Sequence, residues 1–307
     1  MTRHRQGRAR GPWTDEAILR ESERWVHVPS SSVLVEDAER LLVHPPAPRG
    51  TSRVWRSRPG LSGAAEALIL RTIEEARAAG GTRLVWHTGD GVSPPSMDDL
   101  LPRYGFERTE DLDVLAFELG ADPEPKLPAL RVPAGVDTRL VRDETDLRRA
   151  NGVEAEVLKG TTRDERDTRV YLQGISKLEG RGRRERPGPQ DDSLVLRYLA
   201  CIQVSGGEER ETVATAGAEV AGETVRLWGA GTRAEHRGRG AYRVLVMERC
   251  RHAHAMGATL ALAKANTASS GPILRTAGFR AVARERRYAL KISAPVRPRA
   301  PRPNGHL

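Results

Sequence analysis

Between Thr224 and Ala241 the chain reads T-V-R-L-W-G-A-G-T-R-A-E-H-R-G-R-G-A. Val225, Leu227 and Trp228 open this stretch as a short apolar strand. The chain then passes through Gly229, Ala230, Gly231 and Thr232 and turns at Arg237-Gly238-Arg239-Gly240. Ala241, Leu245, Val246 and Cys250 follow at helical spacing, with arginines between them. Strand, glycine turn and helix N-terminus together make an anion site. The first backbone N–H groups of a helix have no internal acceptor and carry the positive end of its dipole. Glycine has no Cβ to hold a phosphate away from the backbone, and two arginines add forked, charged donors. A Walker A loop needs Lys-Ser/Thr after its last glycine, where Ala241-Tyr242 stand. A dinucleotide fingerprint needs glycine at position 243, which is Arg243.

Arg237-Gly238-Arg239-Gly240-Ala241-Tyr242 resembles the pyrophosphate loop of the GNAT acetyltransferase superfamily, Gln/Arg-x-x-Gly-x-Gly/Ala, with Tyr242 in the final small-residue slot. The resemblance implies acetyl-CoA as acyl donor, lying where the fourth and fifth strands of the domain splay apart. Its pyrophosphate would meet Arg237, Gly238, Arg239, Gly240, Ala241 and Tyr242, and its pantetheine would meet Gly229, Ala230, Gly231 and Thr232. Asn266 resembles the asparagine that follows the family's fifth strand, and Ser269 lies three residues on. Amine acetylation needs a base, an oxyanion donor and an acid for the leaving thiolate. In this family the oxyanion donor is a backbone N–H of the fourth strand, here at Gly229 or Ala230. The family's tyrosine acid has no counterpart, because Leu274 stands at its position; Ser269, Ser270 or Tyr288 could substitute. Ser270 reads equally well as the cap of a helix at Pro272. Glu219, Glu223, Glu235 and His236 are candidate bases, and Glu219, late in the preceding strand, is the choice. His252 and His254, two apart on one helix, face different ways and read as surface residues.

The elements around this stretch repeat. A helix, a glycine stop, a strand, a short helix, x-Gly-Phe and a final strand occur twice, once with Gly105-Phe106 and once with Gly278-Phe279. Gly105 and Gly278 are offset by 173 (278 − 105), and Gly63 and Gly240 by 177 (240 − 63). The expected architecture is α/β (α+β): two tandem GNAT-like domains, each a mixed, mostly antiparallel sheet flanked by helices. The expected division is a basic leader over 1–13, a degenerate domain over 14–120, and a proline-rich linker over 121–134. A catalytic domain over 135–293 and a Pro/Arg tail over 294–307 complete it. Gly60-Leu61-Ser62-Gly63-Ala64 faces Arg237–Ala241 at offset 177 but keeps one glycine and neither arginine, and Leu101 stands where a tyrosine acid belongs. The first half is therefore expected to bind no acetyl-CoA productively. The segment 180–192, poor in apolar residues, reads either as a lid over an acceptor cleft or as an insertion.

Across 307 residues the formal net charge is +9, and nearly all of it is arginine. That balance accompanies high alanine, glycine and proline and is a weak argument for nucleic acid, for which no aromatic platform or groove-reading motif is found. A positively charged surface does not favour polyamine acceptors. No run of about 18 apolar residues is found, and two cysteines are too few for a disulfide framework or zinc cage. The expected protein is soluble and cytoplasmic. It would transfer acetyl groups to an amine of a small molecule or protein, or bind an acyl-CoA without catalysis. Nothing in the sequence reports the oligomeric state.

Overall fold

A computed structural model of the chain describes residues 12–29, 32–45, 50–60, 64–158, 165–180, 193–203 and 210–292. The readings made for residues 1–11 of the leader, the Pro/Arg tail, residues 61–63 and the segment 181–192 lie outside the described residues; Trp13, at the end of the expected leader, packs with Ile18.

The first half runs α1 (Asp15–Glu23), β1 (Val33–Glu36), β2 (Arg40–His44), β3 (Thr51–Ser57), α2 (Ala64–Ala78), β4 (Arg83–Gly89), α3 (Ser96–Arg103) and β5 (Glu107–Glu118). The second half begins with β6 (Val136–Leu140), α4 (Glu144–Leu158), α5 (Glu165–Gly180), β7 (Leu194–Gln203) and β8 (Arg210–Ala221). It ends with β9 (Thr224–Thr232), a 3-10 turn at Ala234–His236, α6 (Ala241–Ala255), β10 (Leu260–Asn266), α7 (Ser270–Thr276) and β11 (Arg280–Lys291). The Thr14 side chain caps α1 by accepting from the Ala17 N–H at 3.2 Å, which satisfies one orphan donor of its first turn.

Two compact units cut across the sequence halves. One takes the described residues up to Trp25 with Asp111–Arg284; the other takes those from Val26 to Glu110 and from Glu285 onward. In the first unit β6, β7, β8 and β9 run antiparallel, β9 and β10 pair in parallel, and β10 pairs antiparallel with residues 112–118 of β5. In the second unit β1, β2 and β3 run antiparallel, β3 and β4 pair in parallel, and β4 pairs antiparallel with residues 285–291 of β11. Each sheet is thus completed by the last strand of the other half of the sequence. Helix α1 belongs to the first unit because its Ile18 packs with Trp13, Trp25, Leu260 and Leu262, and the Trp13 indole N–H donates to Thr259 Oγ1 at 3.1 Å.

The repeat seen in the sequence is present residue by residue. Helices α2 and α6 have 15 residues each, and strands β5 and β11 have 12 each. The helices are offset by 177 (241 − 64), as are β4 and β10 (260 − 83), whereas β3 and β9 (224 − 51) and β5 and β11 (280 − 107) are offset by 173. The second half therefore carries four more residues between strand and helix, and the first half carries four more after its next strand.

One buried and one half-buried histidine make stability depend on pH. His44 shares a 3.0 Å hydrogen bond between its Nδ1 and Ser52 Oγ, and burial lowers its pKa. His252 is not a surface residue: its Nδ1 lies 2.8 Å from the hydroxyl of buried Tyr198, and burial lowers its pKa as well. An unfolded histidine titrates near 6.5, so below that value the unfolded chain binds protons that the folded chain refuses. The contribution is present above about pH 6.5 and is lost as pH falls through that value toward the folded pKa. The melting temperature is expected to fall between pH 7.5 and 5.5, and to fall less steeply in the double variant His44→Gln, His252→Gln. Parallel curves for the two proteins would refute this.

Candidate functional site: a strand splay ending in a glycine turn

The sequence of β9 alternates so that Val225 and Leu227 enter one core with Leu245 and Cys250 of α6. Thr224, Arg226 and Trp228 fall on the other face. Parallel pairing of β9 with β10 runs from Thr224↔Leu260 to Leu227↔Ala263 and stops there. Beyond it, β10 continues to Asn266 against β5, and β9 continues to Thr232 against β8. The two parallel strands therefore separate from Trp228 onward. At the same level β9 bulges: Thr215 pairs with Gly231 and Gly217 with Trp228, so that Gly229 and Ala230 together face Ala216. Gly229 has φ +58°, a left-handed conformation that a side chain resists and that lets the strand bend away.

The strand ends in the expected turn. The Arg233 N–H donates to Val213 O at 3.0 Å, and its guanidinium pairs with Glu211 at 3.1 Å and Glu156 at 3.2 Å. His236 is buried beside it, its Nε2 3.5 Å from Glu211. Arg237 is exposed, and its Nε donates back to Thr232 O at 3.3 Å, which links the end of β9 to the start of the turn. Gly238 and Gly240 have φ +77° and +87°. Gly240 is also closely packed, since a Cβ there would lie 2.6 Å from the Pro133 ring. No side chain caps α6, and its Val244 N–H bonds Gly240 O at 3.1 Å. The amides of Ala241, Tyr242 and Arg243 face outward from the first turn without helical acceptors. These features fit a diphosphate: two left-handed glycines, an uncapped helix of 15 residues and two exposed arginines. Tyr242 leaves the turn uncrowded, because its ring packs against the core of the unit and burial raises its pKa.

The other expected residues distribute as follows. Asn266 is the last residue of β10 rather than a residue beyond it, and its Oδ1 accepts from Ala268 N–H at 3.0 Å and Ser269 Oγ at 3.2 Å. Ser269 takes the cap position of α7 without capping it by its side chain, and Ser270 is the first helical residue rather than the cap. The start of α7 is pressed onto the sheet, since a Cβ on Gly271 would lie 2.9 Å from Asn266 O and 3.3 Å from Asp113 Oδ2. The wholly buried Asp113 carboxylate holds Arg275 of that helix. Leu274 is a core residue. Glu219 stands on β8 opposite Arg226, on the face that carries Trp228, and the two form an ion pair at 3.3 Å. Tyr288 lies in the second unit, in the core with Trp86 and Leu101, and its hydroxyl is hydrogen-bonded to Asp98. The first unit thus carries Glu219 on β8, Gly229 to Thr232 on β9, the turn at 237–242, and Asn266 to Ser270, and it does not contain Tyr288.

One charged group behind this site was read from the sequence only as one of the arginines between apolar positions. Arg249 of α6 is 1% exposed, and its guanidinium donates to Gly217 O at 2.8 Å and Trp228 O at 3.4 Å. Its Nε donates to Leu245 O at 3.0 Å. The signal was its spacing: four residues after Leu245, it falls on the apolar stripe of the helix.

No protein-family model matches the chain, and no curated protein matches its sequence. Solved structures do match. A GCN5-related N-acetyltransferase from Sphaerobacter thermophilus superposes with a TM-score of 0.58 at 18% identity, over 90% of this chain and 85% of that one. One from Kribbella flavida gives 0.55 at 20% identity, over 84% and 89%. A tandem GNAT protein from the clavulanic acid biosynthesis pathway gives 0.53 at 16%, over 90% and 88%. The chain has the tandem GNAT fold.

The second unit repeats this strand arrangement. Strand β3 also bulges, its register shifting between Leu41 and Leu42 so that Trp55 is left over, and its parallel pairing with β4 stops at Val54↔Trp86. The strand end is then closed from within. Ser57, which corresponds to Ala230 at offset 173, gives its N–H to Val92 O at 2.8 Å. Its hydroxyl accepts from the Trp86 indole at 3.1 Å, and Trp86 corresponds to Ala263 at offset 177. Val92 lies in the turn after β4, where the first half is four residues longer. In the first unit the parallel strands part with no such closure among the described residues, and in the second unit Val92 and Trp86 bond the end of β3.

Proposed function

We propose that this chain is an N-acetyltransferase that moves the acetyl group of acetyl-CoA to an amine of a small molecule or protein, by direct attack within a ternary complex. The observation that carries this reading is the uncapped start of α6, with Gly238 and Gly240 left-handed, at the end of a strand that has parted from its parallel neighbour. Acetyl-CoA would supply a thioester whose carbonyl carbon accepts the amine. The amides from Gly238 to Tyr242, with Arg237 and Arg239, would hold the diphosphate. The edge of β9 from Gly229 to Thr232 would pair with the pantetheine, and the N–H of Gly229 or Ala230 would donate to the oxyanion. Glu219 is the base in this proposal. Its carboxylate lies 3.3 Å from the Arg226 guanidinium. Ser269 and Ser270, at the head of α7, are the hydroxyls this reading assigns to protonating the leaving thiolate. In this proposal the two halves arose by duplication, and the first unit kept the donor site.

A second reading, acyl-CoA binding without transfer, draws on Leu274 being a core residue where the family has its acid. Calorimetry and an amine panel with detection of released thiol separate the two. Binding with thiol release that depends on an amine supports the enzyme, whereas binding with no release across the panel supports the binding module. No binding would sink both. The filled strand end of the second unit further predicts a stoichiometry of one acetyl-CoA per chain, and a titration that saturates at two would refute it.

A further inference from the structure

The proposed oxyanion donor has a charged group behind it. The N–H of Gly229 and the C=O of Trp228 belong to one peptide unit, and that carbonyl is an acceptor for Arg249. Buried arginines ordinarily pair with carboxylates. Arg249 instead spends its donors on three main-chain carbonyls: Leu245 in its own helix, Gly217 on β8 and Trp228 on β9. The last two are register partners at the lower edge of the bulge. No Cβ could be placed on Gly217, because the Trp228 ring fills that space at 2.4 Å, so the two strands meet closely where the guanidinium reaches both. A donor on a peptide carbonyl draws electron density from the nitrogen of the same peptide, so its N–H becomes a stronger donor, and hydrogen bonds in series strengthen one another.

We infer that Arg249 is a positioning residue for acetyl transfer: it fixes the β9 bulge from behind and polarises the Trp228–Gly229 peptide, whose N–H stabilises the developing oxyanion. This rests on the reading of the first unit as an acetyl-CoA donor site. The residue touches no substrate. Its effect reaches the reaction through one peptide group, and a positive charge held away from solvent acts over that distance with little screening. Loss of a whole oxyanion donor costs about 100-fold or more in turnover. Loss of its polarisation is expected to cost about 10-fold, with acetyl-CoA affinity changed less than about threefold because the diphosphate turn is untouched.

The test is isotope-edited infrared spectroscopy of acetyl-CoA labelled at the thioester carbonyl, bound to wild type and to Arg249→Gln, with calorimetry on the same samples. The expected result is a carbonyl stretch below its solution value in wild type and returned toward that value in the variant. A variant that binds acetyl-CoA with an unmoved stretch overturns the inference. If Arg249→Gln does not fold, the decision passes to isotope-labelled wild type. There, a nuclear magnetic resonance coupling across the hydrogen bond must link an Arg249 guanidinium nitrogen to the Trp228 carbonyl carbon, and its absence overturns the inference. Failure of wild type to bind acetyl-CoA is a separate outcome and removes the underlying functional reading.

Discussion

Gly240→Glu is expected to weaken acetyl-CoA binding more than 100-fold. Three effects act in the same direction. The residue sits at φ +87°, where a side chain costs about 1–2 kcal/mol. Its Cβ would lie 2.6 Å from the Pro133 ring, so the turn must open to admit it. A carboxylate there would also face a diphosphate at the start of a helix, replacing an attractive dipole end with repulsion between like charges. Arg237→Ala removes one charge-assisted donor and is expected to cost about tenfold. Calorimetric titration of acetyl-CoA into wild type and both variants checks this, with circular dichroism to show that α6 remains folded. Wild-type affinity in folded Gly240→Glu would place the ligand elsewhere and remove the central support of the proposal.

Residues 121–307, expressed alone, are expected not to fold. That fragment contains every element of the second sequence half but lacks residues 112–118 of β5, which form seven register pairs with β10 from Leu112↔Asn266 to Glu118↔Leu260. It also loses Leu112, Val114, Leu115 and Leu119, each buried. At about 1.5–3 kcal/mol for each large apolar side chain, the loss is roughly 6–12 kcal/mol, comparable with the whole stability of a domain. It would in addition expose the edge of β10, a strand apolar along most of its length. Co-expression with residues 1–120 should restore folding by supplying the strand in trans. A dispersed amide spectrum from 121–307 alone would show that β5 is dispensable.

The glycine turn proposed to hold the diphosphate was legible because it is local. Glycine at 238 and 240, arginine at 237 and 239 and the apolar spacing after 241 lie within a single strand-turn-helix, where residue type dictates backbone conformation with little help from elsewhere. The repeat was legible for the same reason, since the helix and strand periods and the Gly-Phe pairs recur at almost constant offsets. The offsets of 173 and 177 also held the extra residues after β4, although only the folded chain shows that this longer segment brings Val92 O to Ser57.

What required the tertiary structure depends on partners far apart in the chain. Sequence spacing assigns β5 to the first half, but an edge strand bonds whichever neighbour the sheet presents, and β5 pairs with β10. Position alone offers Tyr288 as an acid, but the pairing of β11 with β4 puts it into a core with Trp86 and Leu101, its hydroxyl hydrogen-bonded to Asp98. Glu219 could be placed on a strand, but its Arg226 partner is fixed only by the β8–β9 register. Arg249 was hidden for the deepest reason. Burial of a charge contradicts composition-based expectation, and it is tolerable here only because a bulge and a glycine at 217 leave two carbonyls pointing at one guanidinium. A local sequence can specify a turn that receives an anion; the cation held behind the neighbouring strand is decided by three elements meeting.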